Sequence, residues 1–267
     1  MNNMKKKLHK LWETKTKEDE WWSSFVTAPL AIMVNYFVVD YKWLTPNLIT
    51  LFSFLVAIIA TGFIVVGGIT NFIIAAVLIH LSHVLDCMDG QMARYRGISS
   101  RSGSYFDKLT DQIQVIIWFG AVGYAAYLQT QNVLPVFLAF AGVSFYSLRG
   151  YTKYVAIYTE MNDNKDYLTK KNQEKIDEES GKKENAGLDH GMSANILWFI
   201  KEQRKILSFD EGVFIFMLSF ALVFNVLTPM LWVFALSQLF YGFYRALQRG
   251  YQIHTNKHPQ ILSVTGK

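Results

Sequence analysis

The sequence predicts an all-α, polytopic membrane protein with six transmembrane helices and an N-terminal interfacial helix. Three observations carry this. Of its 267 residues 51% are hydrophobic, and they come in blocks long enough to cross a bilayer rather than in amphipathic stripes. Short connections at Gly67-Gly68, residues 129–132 and residues 225–228 carry no Lys or Arg. The cations gather in the N-terminal segment, residues 94–108, residues 149–205 and the C-terminal region. Cytoplasmic loops collect Lys and Arg, so both termini and residues 86–111 are expected on the cytoplasmic side. Topology therefore accounts for the formal charge of +5, and no nucleic-acid partner is implied. The single cysteine, Cys87, excludes an intramolecular disulfide and points to no zinc cluster.

Residues 1–20 are charged (MNNMKKKLHKLWETKTKEDE), and their length and acidic end do not fit the basic start of a secretory signal. Residues 21–43 (WWSSFVTAPLAIMVNYFVVDYKW) are short for a span and broken by Pro29. Trp21, Trp22, Tyr41 and Trp43 suit headgroup depth, which predicts a helix lying along the membrane. The first span begins at Pro46, with Thr45 as its cap, and runs to about Val66. The second runs from about Asn71 through Leu85 into a polar stretch, and the third begins near Gly103 and runs to about Leu128. The fourth covers about residues 133–157, the fifth about 210–224 and the sixth about 229–249. Six crossings return the chain to the cytoplasm.

Between the fourth and fifth spans, residues 159–191 are polar, nearly charge-balanced and poor in large apolar residues, predicting a mobile cytoplasmic loop. The following SANILWFIKEQRKIL reads as an amphipathic surface helix capped by Ser193, with Ile196, Leu197, Phe199, Ile200 and Leu207 as its apolar side. The expected organisation is thus 1–44, a cytoplasmic segment and interfacial helix; 45–250, the six-helix transmembrane catalytic domain with a polar insert at 159–207; and 251–267, a cytoplasmic tail. No internal repeat is found.

The stretch DCMDGQMARYRGISSRSGSYFDKLTDQ joins the second span to the third. If the second span continues as a helix, Asp86, Asp89 or Gly90, and Ala93 share one face at offsets of three, four and seven, with Arg94 beside them. Steps of four place Gly103, Asp107 and Asp111 on one face of the third. Two antiparallel helices then bring four carboxylates together. These repel one another unless cations are present. Oxygen-only ligands favour hard ions such as Mg²⁺, Mn²⁺ or Ca²⁺ over zinc. Gly90, Ala93 and Gly103 leave room for a ligand. The plainer alternative is that the aspartates pair with Arg94, Arg96, Arg101 and Lys108 at the interface.

The pattern Asp86-x2-Asp89-Gly90-x2-Ala93-Arg94-x8-Gly103-x3-Asp107-x3-Asp111 resembles, at every fixed position, the signature of the CDP-alcohol phosphotransferase (CDP-alcohol phosphatidyltransferase) family. Chance agreement at eight specified residues is on the order of one in 10¹⁰ per start position. Six spans with this motif between the second and third also look like the family, extending the resemblance to roughly residues 45–250. It implies transfer of a substituted phosphoryl group from a CDP-linked alcohol to a polar alcohol acceptor, with release of CMP, in phospholipid biosynthesis. By position it implies metal ligation of one or two Mg²⁺ or Mn²⁺ ions by Asp86, Asp89, Asp107 and Asp111, with Asp111 also the general base. Gly90, Ala93, Arg94 and Gly103 resemble its nucleotide-binding residues. Asn47 and Thr50 can reach the nucleotide from the first span, or serve as cap and interhelical bond. A homodimer is common in the family.

Substrate identity is less constrained. Arg149 and Lys153, and likewise Arg245 and Arg249, are four apart at cytoplasmic helix ends. Together they suit a phosphate-bearing acceptor such as inositol phosphate or glycerol 3-phosphate, with CDP-diacylglycerol as donor; alternatively they are positive-inside anchors. His80 and His83, one turn apart, read as buried histidines bonded to a neighbouring helix, with contact to an acceptor or a metal ligand as the alternative. Three rival functions stand beside this reading. One is transfer from soluble CDP-choline or CDP-ethanolamine to diacylglycerol; the others are divalent-cation transport and a structural role with a vestigial site.

Overall fold

Thr45 and Pro46 start the first long helix for a local reason. The Thr45 hydroxyl accepts the Leu48 amide and Pro46 occupies the first turn, where no amide partner is needed. In this computed structural model, which describes residues 2–15, 20–98, 100–169, 171–173 and 192–255, no strand occurs among the described residues. The helices are α1 (Asn2–Trp12), α2 (Ala28–Val38, entered through a π turn at Ser23–Thr27), α3 (Pro46–Val66), α4 (Ile69–Arg96) and α5 (Arg101–Thr130). After them come α6 (Leu134–Asp163), α7 (Met192–Glu202), α8 (Glu211–Val223) and α9 (Leu227–His254).

On α3 the outward face is Leu51, Phe52, Leu55, Ile58 and Ile59, all exposed, while Ile49, Thr50, Ser53, Ala57, Ala60 and Ile64 are buried. Large apolar residues outside and small or polar ones inside invert the soluble pattern and fit a lipid-facing helix. Small residues let α3 approach α4: Ser53 and Ser82 exchange hydroxyl-to-carbonyl bonds of 2.9 and 3.0 Å. Trp118 of α5, fully buried, donates to the Ala57 carbonyl at 3.2 Å.

Three helices, α3, α4 and α5, are long and apolar enough to cross a membrane. The other expected spans differ. At 13 residues α8 reaches only about 20 Å, short of the roughly 30 Å of hydrocarbon. Helices α6 and α9 have 30 and 28 residues, but tyrosine, serine, glycine and glutamine dilute their apolar runs. They pack together, with Gly142 against the Phe234 ring and Gly242 against Phe145. Phe234 is fully buried and stacks on Phe119 of α5 with centroids 3.7 Å apart. The loops at 129–132 and 225–228 share one end of the bundle, where Gln129 bonds Asn225 at 2.7 Å.

Two expectations change. Residues 1–20 were expected only as a charged cytoplasmic segment, yet α1 packs against α2 and α4 with Leu11 fully buried. Residues 21–43 do form a helix, but its face of Ala28, Ala31, Ile32 and Asn35 is buried on α4 rather than resting on lipid alone. Polar bonds cement that contact: Asn35 donates to the Met88 carbonyl at 3.0 Å, and Gln91 to the Ala28 carbonyl at 3.1 Å. In the insert, α6 continues to Asp163, and α7 begins at Met192, so Ser193 lies within its first turn instead of capping it. Its apolar side meets residues 21–25: Phe199 lies edge-on to Trp21 at 5.2 Å and Trp198 to Phe25 at 5.3 Å. Of the mobile loop expected over 159–191, the first residues continue α6 to Asp163, while residues 174–191, like the tail beyond 255, lie outside the described residues.

Replacing Phe234 with alanine empties a stacked, enclosed ring site, and the expected cost is about 3–5 kcal/mol. Thermal unfolding in detergent micelles should show a lowered midpoint for Phe234→Ala and little change for Phe240→Ala, whose ring is exposed. Equal midpoints would contradict the packing described.

Candidate active site

The polar stretch is carried by helix on both sides of a short break. Helix α4 runs unbroken through Asp86, Asp89 and Arg94 to Arg96. Gly97 then stops it in the left-handed region at φ 64°, where its amide and that of Ile98 bond back to the carbonyls of Arg94 and Ala93. Helix α5 restarts at Arg101 with the Ser100 hydroxyl accepting the Gly103 amide at 3.0 Å. The ends of α3 and α5 meet closely there. A Cβ at Gly103 would lie 2.9 Å from both Asn47 Oδ1 and Ser100 Oγ, so a larger residue there would have to displace these two side chains.

Asp86, Asp89 and Asp107 each bring an oxygen to within 4.8 Å of the others. Asp89 is buried and accepts a hydrogen bond from the Thr50 hydroxyl of α3. Asp86 Oδ1 is buried without a hydrogen-bond partner. Asp111, one turn further along α5, lies outside that trio yet near enough for its charge to act on Asp86. The sequence-expected convergence of four carboxylates is thus a close trio with Asp111 beside it.

Among the described residues none of Asp86, Asp89 and Asp107 makes a salt bridge. Three cations of the stretch have partners elsewhere, although the Arg94 charge also acts on Asp89. Arg94 donates to the Thr14 carbonyl at 2.7 Å. Arg96 ties down the turn after α2 through the carbonyls of Val39, Tyr41 and Leu44. Lys108 bonds Ser104 at 2.8 Å. A buried oxygen without a donor, in an all-oxygen set, fits a hard divalent ion, held by Asp86, Asp89 and Asp107 with Asp111 adjacent.

The other expected site residues fall into two groups. Gly90, Ala93 and Arg94 line one face of α4 next to the trio, and a Cβ at Gly90 would meet Arg94 Nη1 at 3.2 Å. Asn47 sits at the α5 N-terminus, and Thr50 orients Asp89. Arg149 donates to the Ser208 carbonyl and lies 3.6 Å from Asp210, clipping α6 to the start of α8. Arg249 donates to the Arg149 carbonyl and Thr152, and Arg245 to Gln248 at 2.7 Å. Lys153 lies half-buried one turn beyond Arg149. The arginines therefore gather at adjacent ends of α6 and α9, although Arg149 also has a structural task. His83 bonds Ser23 at 2.9 Å, as the plainer reading held, and Trp22 packs over His80 with centroids 5.3 Å apart. Sequence reasoning missed Glu211, which stands 3.6 Å from His83. A carboxylate opening the apolar run EGVFIFM was the available signal.

Because Thr50 fixes the Asp89 carboxylate from an adjoining helix, Thr50→Val should weaken Mn²⁺ binding about 10- to 100-fold. Electron paramagnetic resonance of free Mn²⁺ would measure this. Thr61→Val, which removes only a bond within α3, is the control; equal affinities in both variants would contradict the assigned role.

Comparison with known proteins meets this geometry. The chain is 33% identical over 118 residues to an uncharacterized protein of Aquifex aeolicus (strain VF5), covering 42% of the present chain. The match spans 58% of that relative's own length. The family model described as CDP-alcohol phosphatidyltransferase matches residues 43–176, half of the chain and all of the acidic stretch. The chain belongs to the CDP-alcohol phosphatidyltransferase family, whose members are transferases of substituted phosphate groups.

Proposed function

We propose that the protein transfers a phosphatidyl group from CDP-diacylglycerol to the hydroxyl of a polar, phosphate-bearing acceptor, releasing CMP. The observation that carries this is the trio Asp86, Asp89 and Asp107, in no salt bridge among the described residues, inside the family's signature. One or two Mg²⁺ or Mn²⁺ ions bound there would orient the pyrophosphate and stabilise the charge developing on the CMP leaving group. Asp111, beside the trio, takes the acceptor's proton as the new P–O bond forms. Gly90 and Ala93 leave the α4 surface open to the nucleotide. Arg94 holds its charge beside them while its Nε bonds Thr14. Asn47 contacts the same region from α3, and Thr50 keeps Asp89 in place.

Arg245, Arg249 and Lys153 supply the acceptor pocket, with Arg149 serving both the pocket and the link to Asp210. Inositol phosphate and glycerol 3-phosphate carry the charge such a pocket recognises. The membrane arrangement follows from the charge pattern. Residues 45–250 form the transmembrane domain with six crossings, counting α6, α8 and α9 beside the three long apolar helices. Its insert at 159–207, residues 1–44, the tail from 251 and the site all face the cytoplasm. The bond between Gln129 and Asn225 supports this by joining the two cation-free loops at one end. In this arrangement the donor's acyl chains stay among the helices and its headgroup meets the soluble acceptor in water. A second copy of the chain is the expected oligomeric partner.

Incubation of purified protein with labelled CDP-diacylglycerol, Mg²⁺ or Mn²⁺, and a panel of acceptors tests the reading through CMP release. Glycerol 3-phosphate or inositol phosphate should react, and serine and inositol should not. Asp111→Asn should lower turnover about 10²- to 10⁴-fold, and Arg245→Gln should raise the acceptor KM with less effect on kcat. Reaction with inositol or serine only would overturn the acceptor assignment, and reaction of CDP-choline with diacylglycerol would reverse donor and acceptor. Metal uptake into vesicles without CMP release would establish a transporter, and unchanged turnover in Asp111→Asn a vestigial site.

A further inference from the structure

Helix α1 takes no part in the reaction proposed above, yet its surface is divided into an apolar and a basic side. Met4, Leu8, Leu11 and Trp12 follow offsets of four, seven and eight and share one side. Leu11 and Trp12 pack into a cluster with Ile32, Val39, Met88 and Met92. Met4 and Leu8 continue the same stripe but are 58% and 40% exposed, so the stripe runs on past its packed part.

The surroundings show what meets the exposed part. On α4, Met88 and Met92 stand where the apolar run of a membrane-crossing helix gives way to charge. Lys7 pairs with Asp40, just past the end of α2, and lies over the Tyr36 ring at 5.0 Å. The next residue of α2, Phe37, is 71% exposed, and Leu30, Met33 and Val34 complete its outward apolar face. Large apolar residues exposed beside membrane-crossing helices face lipid, which puts α1 at the level of the membrane surface.

The basic side is a shallow depression lined by Lys5, Lys6, His9, Lys10 and Glu13. Glu13 stands 3.3 Å from His9. Among the described residues Lys5, Lys6 and Lys10 make no salt bridge, and Lys10 lies over the Tyr95 ring at 4.2 Å. A soluble anion could meet these lysines but would leave Met4 and Leu8 in water. A lipid surface carrying negative headgroups satisfies both sides at once.

We propose that α1 docks on anionic phospholipid headgroups, with Lys5, Lys6 and Lys10 taking the phosphates while Met4 and Leu8 enter the acyl boundary. Docking reaches the site through one short link. The Thr14 hydroxyl donates to the Leu11 carbonyl at 2.6 Å, and the Thr14 carbonyl accepts Arg94 Nε at 2.7 Å. A seated α1 therefore holds Arg94 beside Gly90. This link to the nucleotide region rests on the proposed function; the docking itself does not.

The test places the full chain in lipid nanodiscs of phosphatidylcholine, with or without phosphatidylglycerol. A spin label at Met4→Cys, in a Cys87→Ala background, reports its surroundings by electron paramagnetic resonance. With phosphatidylglycerol the label should become accessible to oxygen and shielded from a water-soluble nickel chelate. Each lysine replaced in Lys5→Gln and Lys6→Gln should lower the docked-to-free ratio about fivefold. Equal accessibility in the two kinds of disc would overturn the proposal, as would full docking of the double variant. The same shift produced in phosphatidylcholine discs by inorganic phosphate would assign a free anion instead of lipid. In CMP-release assays the KM for CDP-diacylglycerol should be higher in phosphatidylcholine discs and in the double variant, with kcat little changed; an unchanged KM beside a shifted label would overturn the link to Arg94. CMP release without a label shift would refute docking alone, whereas a label shift with no CMP release from any CDP-alcohol would refute only the phosphotransfer reading.

Discussion

Carboxylates held close together where water is scarce repel one another, and this chain places three of them, Asp86, Asp89 and Asp107, within 4.8 Å at the end of its apolar helices. Nearby cations are largely committed elsewhere: Arg94, Arg96 and Lys108 are bonded to carbonyls and a serine, though the Arg94 charge also acts on Asp89. On the function proposed above, a divalent cation bound among the aspartates offsets that repulsion. Much of the architecture around it serves to keep the two acidic helices from moving apart.

Helix α4 is the member most heavily restrained. The Ser53–Ser82 pair locks it to α3, Asn35 and Gln91 lock it to α2, Arg94 reaches the chain after α1, and His83 reaches Ser23. Each link is polar and buried or half-buried, in surroundings where apolar contact between helices offers little net driving force. Helix α5 is aligned against α3 by Trp118 and by the close approach at Gly103. The site is thus built on rigid helices supported by neighbouring hydrogen bonds, the arrangement that holds ligands to within fractions of an ångström.

Legibility in the sequence followed the range of the interaction. Thr45 and Pro46 act within one turn, and α3 begins where they were expected to place it; Gly97 and Ser100 act over the same range at the ends of α4 and α5 but were not singled out in the sequence. The acidic motif was readable because helical periodicity alone puts Asp86 with Asp89 and Gly103 with Asp107. Contacts between distant segments left no such trace. The pairing of Arg94 with Thr14, of Glu20 with Gly212 and of Glu211 with His83 spans 80, 192 and 128 positions, set by how helices pack and not by any local pattern. Helix α1 carried no prediction of its own: its apolar edge is short, with Leu11 buried in the core and Trp12 packed beside it. Arg149 illustrates a further limit: its position fits a pocket for anions, yet Ser208 and Asp210 also claim it.

Anomalous diffraction at the manganese edge, from crystals of the full chain grown with Mn²⁺, bears most directly on whether a divalent ion holds the acidic helices together. The account predicts a peak within coordinating distance of Asp86, Asp89 and Asp107, lost in Asp107→Asn. A map of well-ordered α4 and α5 with no peak between them, or with Arg or Lys side chains turned in to neutralise the aspartates, would contradict it.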